Sequence, residues 1–243
     1  MFKKTITFKS SYKKELIEPV PIKKLAPEWY KKLPNYYGNK TIFQDATAKK
    51  CVPMLDAFTS GYAILNPVDI IFWHETKDDK KGIGFRLPDS LHIDDYPGIN
   101  VGIELHNSNQ INQGFVRPDE YDIPFKYLNP WIIETPKNYS CLFINPLNHG
   151  GERGIRTLDA IVETDVYYNQ VNFPFFLKKF DEKKSFLLKK GDPVMLVFPF
   201  LRDQWQMKVS DIDTDKKQHE HFNLFNNVAD NYKRKIWRRK NYD

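Results

Sequence analysis

Two carboxylates, Glu163 and Asp165, stand two residues apart in the stretch Ala160-Ile161-Val162-Glu163-Thr164-Asp165-Val166-Tyr167. Read as a strand, that spacing sends both side chains to one face, because successive residues alternate sides. Two acids on one face could serve as a general base and a supporting acid, or could hold Mg²⁺ through water. Three other clusters invite chemistry and carry less. His149-Gly150-Gly151 has the composition of an oxyanion loop, but no G-x-S-x-G elbow supplies a nucleophile, so a plain glycine-rich loop is expected. Asp211-Ile212-Asp213-Thr214-Asp215 opens like a calcium loop, yet Lys216 and Phe222 fill the positions that need Gly and Glu, which leaves a helix N-cap. His219-Glu220-His221 has the wrong spacing for two ligands on one helix face, so a solvated face is expected and no metal site is assigned.

The elements that must position the carboxylates are mostly strands. Aromatic residues make up 15% of the 243-residue chain, with 16 Pro and only 11 Gly, a texture of short strands and rigid connections. Residues 56–70 read as a turn into a strand, followed by a second strand through Phe72 and Trp73 and a hairpin loop at 75–82. Between 82 and 125 little is legible. Two apolar runs, 125–133 and 139–144, are split by Thr135-Pro136-Lys137-Asn138, a hairpin signal. Strands are also expected at 170–177, 185–188 and 194–200, the last apolar enough to be buried on both faces, with a turn at Gly191-Asp192-Pro193.

Flanking this body, residues 1–50 form a Pro- and Lys-rich arm with one short helix at 26–33, where Trp29 and Leu33 share a face. Residues 211–243 form an amphipathic helix, with Phe225, Val228, Tyr232 and Ile236 as its apolar stripe, and a basic aromatic tail. The expected division is therefore an arm at 1–50, a body at 51–210 and a helix with tail at 211–243.

The formal charge is +6 and sits at the two ends: Lys3, Lys4, Lys9, Lys13, Lys14, Lys23, Lys24, Lys31 and Lys32 in the first arm, and Lys233, Arg234, Lys235, Arg238, Arg239 and Lys240 in the last dozen residues. Such ends suit nucleic acid or another anionic partner, or simply a solvated surface. Cys51 and Cys141 are too few for a disulfide framework and lack metal-type spacing, so both are expected as buried thiols. No apolar leader follows Met1 and no run of about 18 apolar residues occurs, so a cytoplasmic protein that does not enter a membrane is expected.

The strand 160–167 and the later Lys190-Gly191-Asp192-Pro193-Val194-Met195-Leu196-Val197 together resemble the "G-V-I-D-S-D-Y" and "G-D-R-I-A-Q-L" strands of the dUTPase and dCTP deaminase group. The stretch 60–70 is similar to that group's "A-G-x-D-L" and "P-x-D" motif with Ala63 in place of Asp, and Tyr139 matches its "I-P-x-G-Y" hairpin with Asn138 in place of Gly. The resemblance implies a mainly β fold, a β-clip or related β-sandwich. It also implies a pocket lined by Tyr139, Glu163 and Asp165, with Glu163 where the group has the Asp that orients water. The longer side chain would shift such a base by about 1.5 Å. The group's "R-S-S" phosphate clamp is replaced by Ile144-Asn145-Pro146-Leu147-Asn148, and its glycine-rich C-terminal lid is absent. The segments 129–140, 162–167 and 171–175 further resemble a family of phage and bacterial proteins of unknown function. Two functions follow as expectations. One is a non-catalytic structural or interaction protein, phage-encoded and acting in the host cytoplasm or the virion, that forms a dimer or trimer. The other is a nucleotide-binding phosphohydrolase or deaminase with a rebuilt pocket, which would use Mg²⁺.

Overall fold

The computed structural model describes residues 4–11, 14, 16–38, 45–77, 79–87, 102–111, 113–147, 153–225 and 232–243. Its strands are β1 (Thr7–Lys9), β2 (Val20–Pro21), β3 (Tyr62–Leu65), β4 (Ile70–Lys77), β5 (Lys80–Arg86), β6 (Gly102–Leu105), β7 (Glu120–Leu128), β8 (Ile132–Glu134), β9 (Tyr139–Ile144), β10 (Ile155–Thr157), β11 (Ala160–Val162), β12 (Phe173–Lys178), β13 (Ser185–Leu188) and β14 (Pro193–Leu201). The helices are α1 (Glu28–Lys32), α2 (Val52–Thr59) and α3 (Thr214–Phe225). The chain is mainly β, in antiparallel sheets, as its composition implies.

Two compact units share the chain. The first comprises Met1–Val20, Gly61–Leu147 and Gly151–Arg202; the second comprises Pro21–Ser60, Asn148–Gly150 and Asp203–Asp243.

In the first unit the strand orders are β10-β12-β7-β6, β11-β9-β14-β3-β2, β13-β4-β5 and β1-β8. What draws these sheets onto one core is aromatic packing. Phe72 of β4 meets Phe125 of β7 edge-on at 5.6 Å, and Phe125 stacks on Phe175 of β12 at 5.4 Å. Phe143 of β9 meets Phe173 of β12 at 5.8 Å. All are buried, and ring pairs of this kind contribute about 0.5–1.5 kcal/mol each beyond the area they bury.

A charged brace crosses the second face of β12. Glu120, at the start of β7, receives two hydrogen bonds from the Arg156 guanidinium of β10 at 2.6 and 2.7 Å. The Arg156 cation lies over the Phe176 ring at 5.4 Å, so it bridges β10 and β7 across the strand between them. The Glu120 side chain is 0% exposed. Burial pushes its carboxyl up, but the bonds from Arg156 and from the Arg117 amide, with their charges, outweigh burial and leave it below its usual value.

The local signals at turns are explained by backbone geometry. Gly61 has φ +87°, and a Cβ there would sit 2.7 Å from the Val197 carbonyl, so the approach of β3 to β14 requires glycine. Asn138, with φ 71°, takes the left-handed position that the hairpin motif gives to glycine, a conformation Asn tolerates.

Several expectations change. The run at 56–59 is helical, not a turn into a strand: Pro53 fits the first turn of α2, and Phe58 is buried at 1% exposure. The turn at 135–138 forms, but the runs it joins do not pair; β8 ladders with β1, and β9 with β11 and β14. Val194 to Val197 are buried, whereas Phe200 and Leu201 emerge at 37% and 52% exposure, so β14 is covered on both faces only in its first half. Cys51 is exposed, while Cys141 is buried as expected.

In the second unit the arm is held by Tyr30 rather than by Trp29 and Leu33. The Tyr30 ring lies 4.4 Å from that of Phe58 and is 5% exposed; Trp29 packs edge-on against both rings but stays 42% exposed, and Leu33 has left the helix. The C-terminal helix begins where the sequence places it, at Thr214. Asp213 caps α3 by accepting from the Lys216 amide, as the N-cap reading expects, and Thr214 to Phe222 are exposed. Tyr232 and Ile236 lie in a π-helical turn, Tyr232–Ile236, at 42% and 43% exposure. Val228 and the loop at 148–152 lie outside the described residues.

Two outcomes test this fold. Glu120→Ala should cost about 3–5 kcal/mol in denaturant unfolding, because it leaves Arg156 largely buried without its partner. Because the folded-state value of Glu120 is depressed, its contribution is present above the ordinary 4.5 and is lost as pH falls. The gap between the native chain and Glu120→Ala should therefore narrow in acid. Second, iodoacetamide at about pH 8 should modify Cys51 alone until denaturant is added, since burial pushes the Cys141 thiol up to about 11.

Candidate functional site

Three segments of the first unit converge where the carboxylates lie: the turn before β9, the chain leaving β11, and the end of β14. β11 stops at Val162, and residues 164–166 form a turn in which the Val166 and Tyr167 amides donate to the Glu163 carbonyl. Glu163 and Asp165 are thus not alternate residues of one strand. The cause is Thr164, whose side chain points inward. Its hydroxyl meets that of Thr135 at 2.7 Å and donates to the Cys141 sulfur at 3.3 Å, and its amide donates to the Val162 carbonyl. Pulling Thr164 into the core, at 2% exposure, closes the turn and ends the strand ahead of Glu163 and Asp165.

Asp165 is held by a fork. Arg202, the residue after β14, donates from one nitrogen to Oδ1 at 2.7 Å and from the other to Oδ2 at 2.5 Å. The Asn138 amide adds a third bond to Oδ2 at 2.8 Å. The Asp165 side chain is 3% exposed and that of Arg202 33%. Arg202 also donates to the Ser140 hydroxyl at 3.2 Å, and its own amide donates to the Asn138 carbonyl at 2.8 Å. The Arg202 guanidinium holds the Asp165 carboxyl below the usual aspartate range, against the opposing pull of burial and with help from the Asn138 amide. The same pair raises Arg202, to which the nearby charge of Glu163 adds.

Around this fork Tyr139 begins β9, with its carbonyl accepting from the Thr135 hydroxyl at 3.2 Å and the Lys4 ammonium 5.5 Å from its ring centre. Glu163 is exposed. The structure therefore brings Tyr139, Asp165 and Glu163 to one neighbourhood, organised by Arg202. Sequence reading missed Arg202: it lies 37 residues from Asp165 and carries no spacing signal, and only the β9–β14 ladder makes it a neighbour of the turn. Thr135, Ser140 and Thr164 were also missed, since lone hydroxyls in apolar strands have no pattern.

Chemically, both Asp165 oxygens accept bonds and its proton affinity is reduced, which suits an anchor more than a base. The residues present do not fit Mg²⁺. Asp165 is committed to Arg202, Glu163 stands as a single further carboxylate, and no group of three or more His, Cys, Asp or Glu among the described residues could hold a metal.

The two other motif segments also interlock. The Asn66 side-chain amide donates to the Leu188 and Lys189 carbonyls, both at 3.1 Å, the Lys190 amide donates to Asp69 at 2.7 Å, and the Gly191 amide donates to the Asn66 carbonyl at 2.8 Å. Ala63, where the resembling motif has Asp, is 0% exposed, so a carboxylate there would be buried in the core. An open cleft of about 440 Å³ lies elsewhere, lined by Arg117, Tyr121, Asp122 and Lys179.

No family model and no curated protein match the sequence. Among solved structures, the chain is similar to a triple mutant of Staphylococcus bacteriophage 80alpha dUTPase with dUpNHpp, at 8% identity and TM-score 0.34, covering 86% of this chain and 88% of that one. It is also similar to a single mutant of the same dUTPase with dUpNHpp, at 8% identity and TM-score 0.29, covering 63% and 85%. Likeness at this level carries no conclusion about activity.

The fork has a pH signature. Asp165→Asn should lower the melting temperature at pH 7, and because the folded carboxyl is depressed, the difference should persist down to the ordinary aspartate value of 3.8 and close below it. Differential scanning calorimetry at several pH values reads this directly. A gap that stays open in strong acid would mean that the carboxylate charge is not what holds the turn.

Proposed function

We propose that the chain is a non-catalytic assembly protein that joins a second copy of itself through the extended segment that follows β14. One observation carries this reading. From Arg202 to Asp213 the chain runs without helix, turn, bend or ladder, and it presents Trp205, Met207 and Val209 at 90%, 88% and 85% exposure. These three residues recur with a period of two, separated by Gln206 and Lys208, which is the pattern of a strand with one face awaiting cover.

The acceptor is the outer strand β11 of the second copy. Among the described residues β11 ends its sheet, with one side of its backbone open to pairing, and Ile161, Val166 and Tyr168 lie on or just after it at 64%, 71% and 65% exposure. Adding a strand to such an edge supplies main-chain hydrogen bonds and pockets for alternate side chains. Each segment offers apolar side chains of roughly 150–250 Å² for the aromatic and less for the others. Reciprocal exchange, counting the surfaces covered, then reaches the ~1,600 Å² of a standard interface. The commitment of Asp165 to Arg202 supports the non-catalytic part of the reading, since it makes the carboxylate an anchor for the turn beside β11 and for the start of the segment.

Size-exclusion chromatography with light scattering decides the matter. The native chain should run at a multiple of 28.8 kDa, and the triple substitution Trp205→Ser, Met207→Ser, Val209→Ser should reduce it to the monomer with an unchanged melting temperature. Ile161→Lys, on the acceptor edge, should act in the same direction. A native chain that stays monomeric at about 50 μM would sink the proposal, since a standard interface holds at that concentration.

A further inference from the structure

Charge is distributed unevenly between the two units. The first holds 21 Lys and Arg against 21 Asp and Glu, whereas the second holds 16 against 10, so the whole formal charge of +6 resides in the second unit. The cations of residues 22–32 and the basic C-terminal tail meet there. The Trp237 indole donates to Asp56 of α2 at 3.0 Å, the Lys240 ammonium pairs with the same carboxylate, and Asp243 pairs with Lys23 at 3.1 Å. Burial pushes the Tyr242 hydroxyl above its usual range, a further sign that the last residues are packed. The tail is therefore a fixed part of the surface that also carries the cations of residues 22–32.

That surface is left with charge to spare. The side chains of Lys24, Lys32, Lys233, Arg234, Lys235, Arg238 and Arg239 make no hydrogen bond or ion pair with another described residue. Exposed rings belong to the same unit, Trp29 and Tyr232 beside these cations in sequence and both at 42%, and Tyr37 at 77%. Unpaired cations with open aromatic faces are what an unstacked nucleic acid strand needs, phosphates meeting the cations and bases stacking on the rings. An anionic membrane fits less well, because α3, the longest helix described, has the sequence TDKKQHEHFNLF and lacks an apolar stripe.

We propose that the second unit binds single-stranded nucleic acid, with Lys24, Lys32 and the cations of 233–239 on the phosphates and Trp29 and Tyr232 as stacking platforms. The full chain should bind a dye-labelled oligothymidylate by fluorescence anisotropy at about 50 mM salt. If five phosphates are neutralised, binding should weaken roughly 100-fold by about 200 mM. The triple change Lys233→Gln, Arg234→Gln, Lys235→Gln should weaken it at least ten-fold and flatten the salt dependence. Tyr232→Ala, which removes no charge, should weaken it by about ten-fold. The same titration with the Trp205/Met207/Val209 triple variant should still bind, which separates this surface from self-association. Absence of binding at low salt would overturn the proposal. So would equal affinity for heparin or phosphatidylserine vesicles combined with a neutral Tyr232→Ala, which would reduce the surface to a general polyanion patch.

Discussion

The fork between Arg202 and Asp165 is the interaction on which the functional end of the β unit depends. Arg202 is the last residue of that unit, and its guanidinium, through Asp165, and its amide, through Asn138, tie the end of β14 to the two turns flanking β9 and β11. A planar guanidinium meeting both oxygens of a carboxylate fixes orientation as well as distance, which a lysine could not do. The direction in which the chain leaves β14 is set here, and so is the conformation of the turn that follows the open edge of β11. The Thr164 hydroxyl, drawn inward to Thr135 and Cys141, secures the same turn from the core side.

A second buried pair, Glu120 with Arg156, works differently. It braces two strands that are not neighbours, with an aromatic ring between as a floor for the cation. Both pairs join residues far apart in sequence, and both sit where a sheet meets loops, so they fix ends of strands whose middles are already fixed by the Phe72, Phe125, Phe175 and Phe173 packing. In the second unit the equivalent role falls to Asp56. One carboxylate on α2 receives both Trp237 and Lys240 and so turns a basic tail into a structured surface.

Much of the β unit was legible in the sequence because its strands obey local rules. The apolar runs at 173–178, 185–188 and 193–201, the turn at Gly191 and the hairpin at 77–80 fall where β-branched and aromatic residues alternate with turn formers. The helix at 52–59 was not legible, since its helical pattern occupies two turns only and Phe58 finds its partner, Tyr30, in another segment. The supposed pairing of β8 with β9 misled for a similar reason: a turn signal fixes a change of direction, whereas the ladder partner depends on which sheet each run joins.

The sequence by itself determined a mainly β chain, the turn at Asn138 and an excess of cations at both ends, because periodicity, turn propensity and charge are properties of neighbouring residues. Only the tertiary structure decided that Glu163 and Asp165 lie on a turn and not on one strand, that Arg202 claims Asp165, that Asp56 gathers the C-terminal tail, and that Trp205, Met207 and Val209 remain uncovered. The reason is physical. A carboxylate's partner and a side chain's burial depend on the free energy of bringing distant segments together, and nothing in the local order of residues encodes which cation, of the 37 in this chain, will arrive within hydrogen-bonding distance.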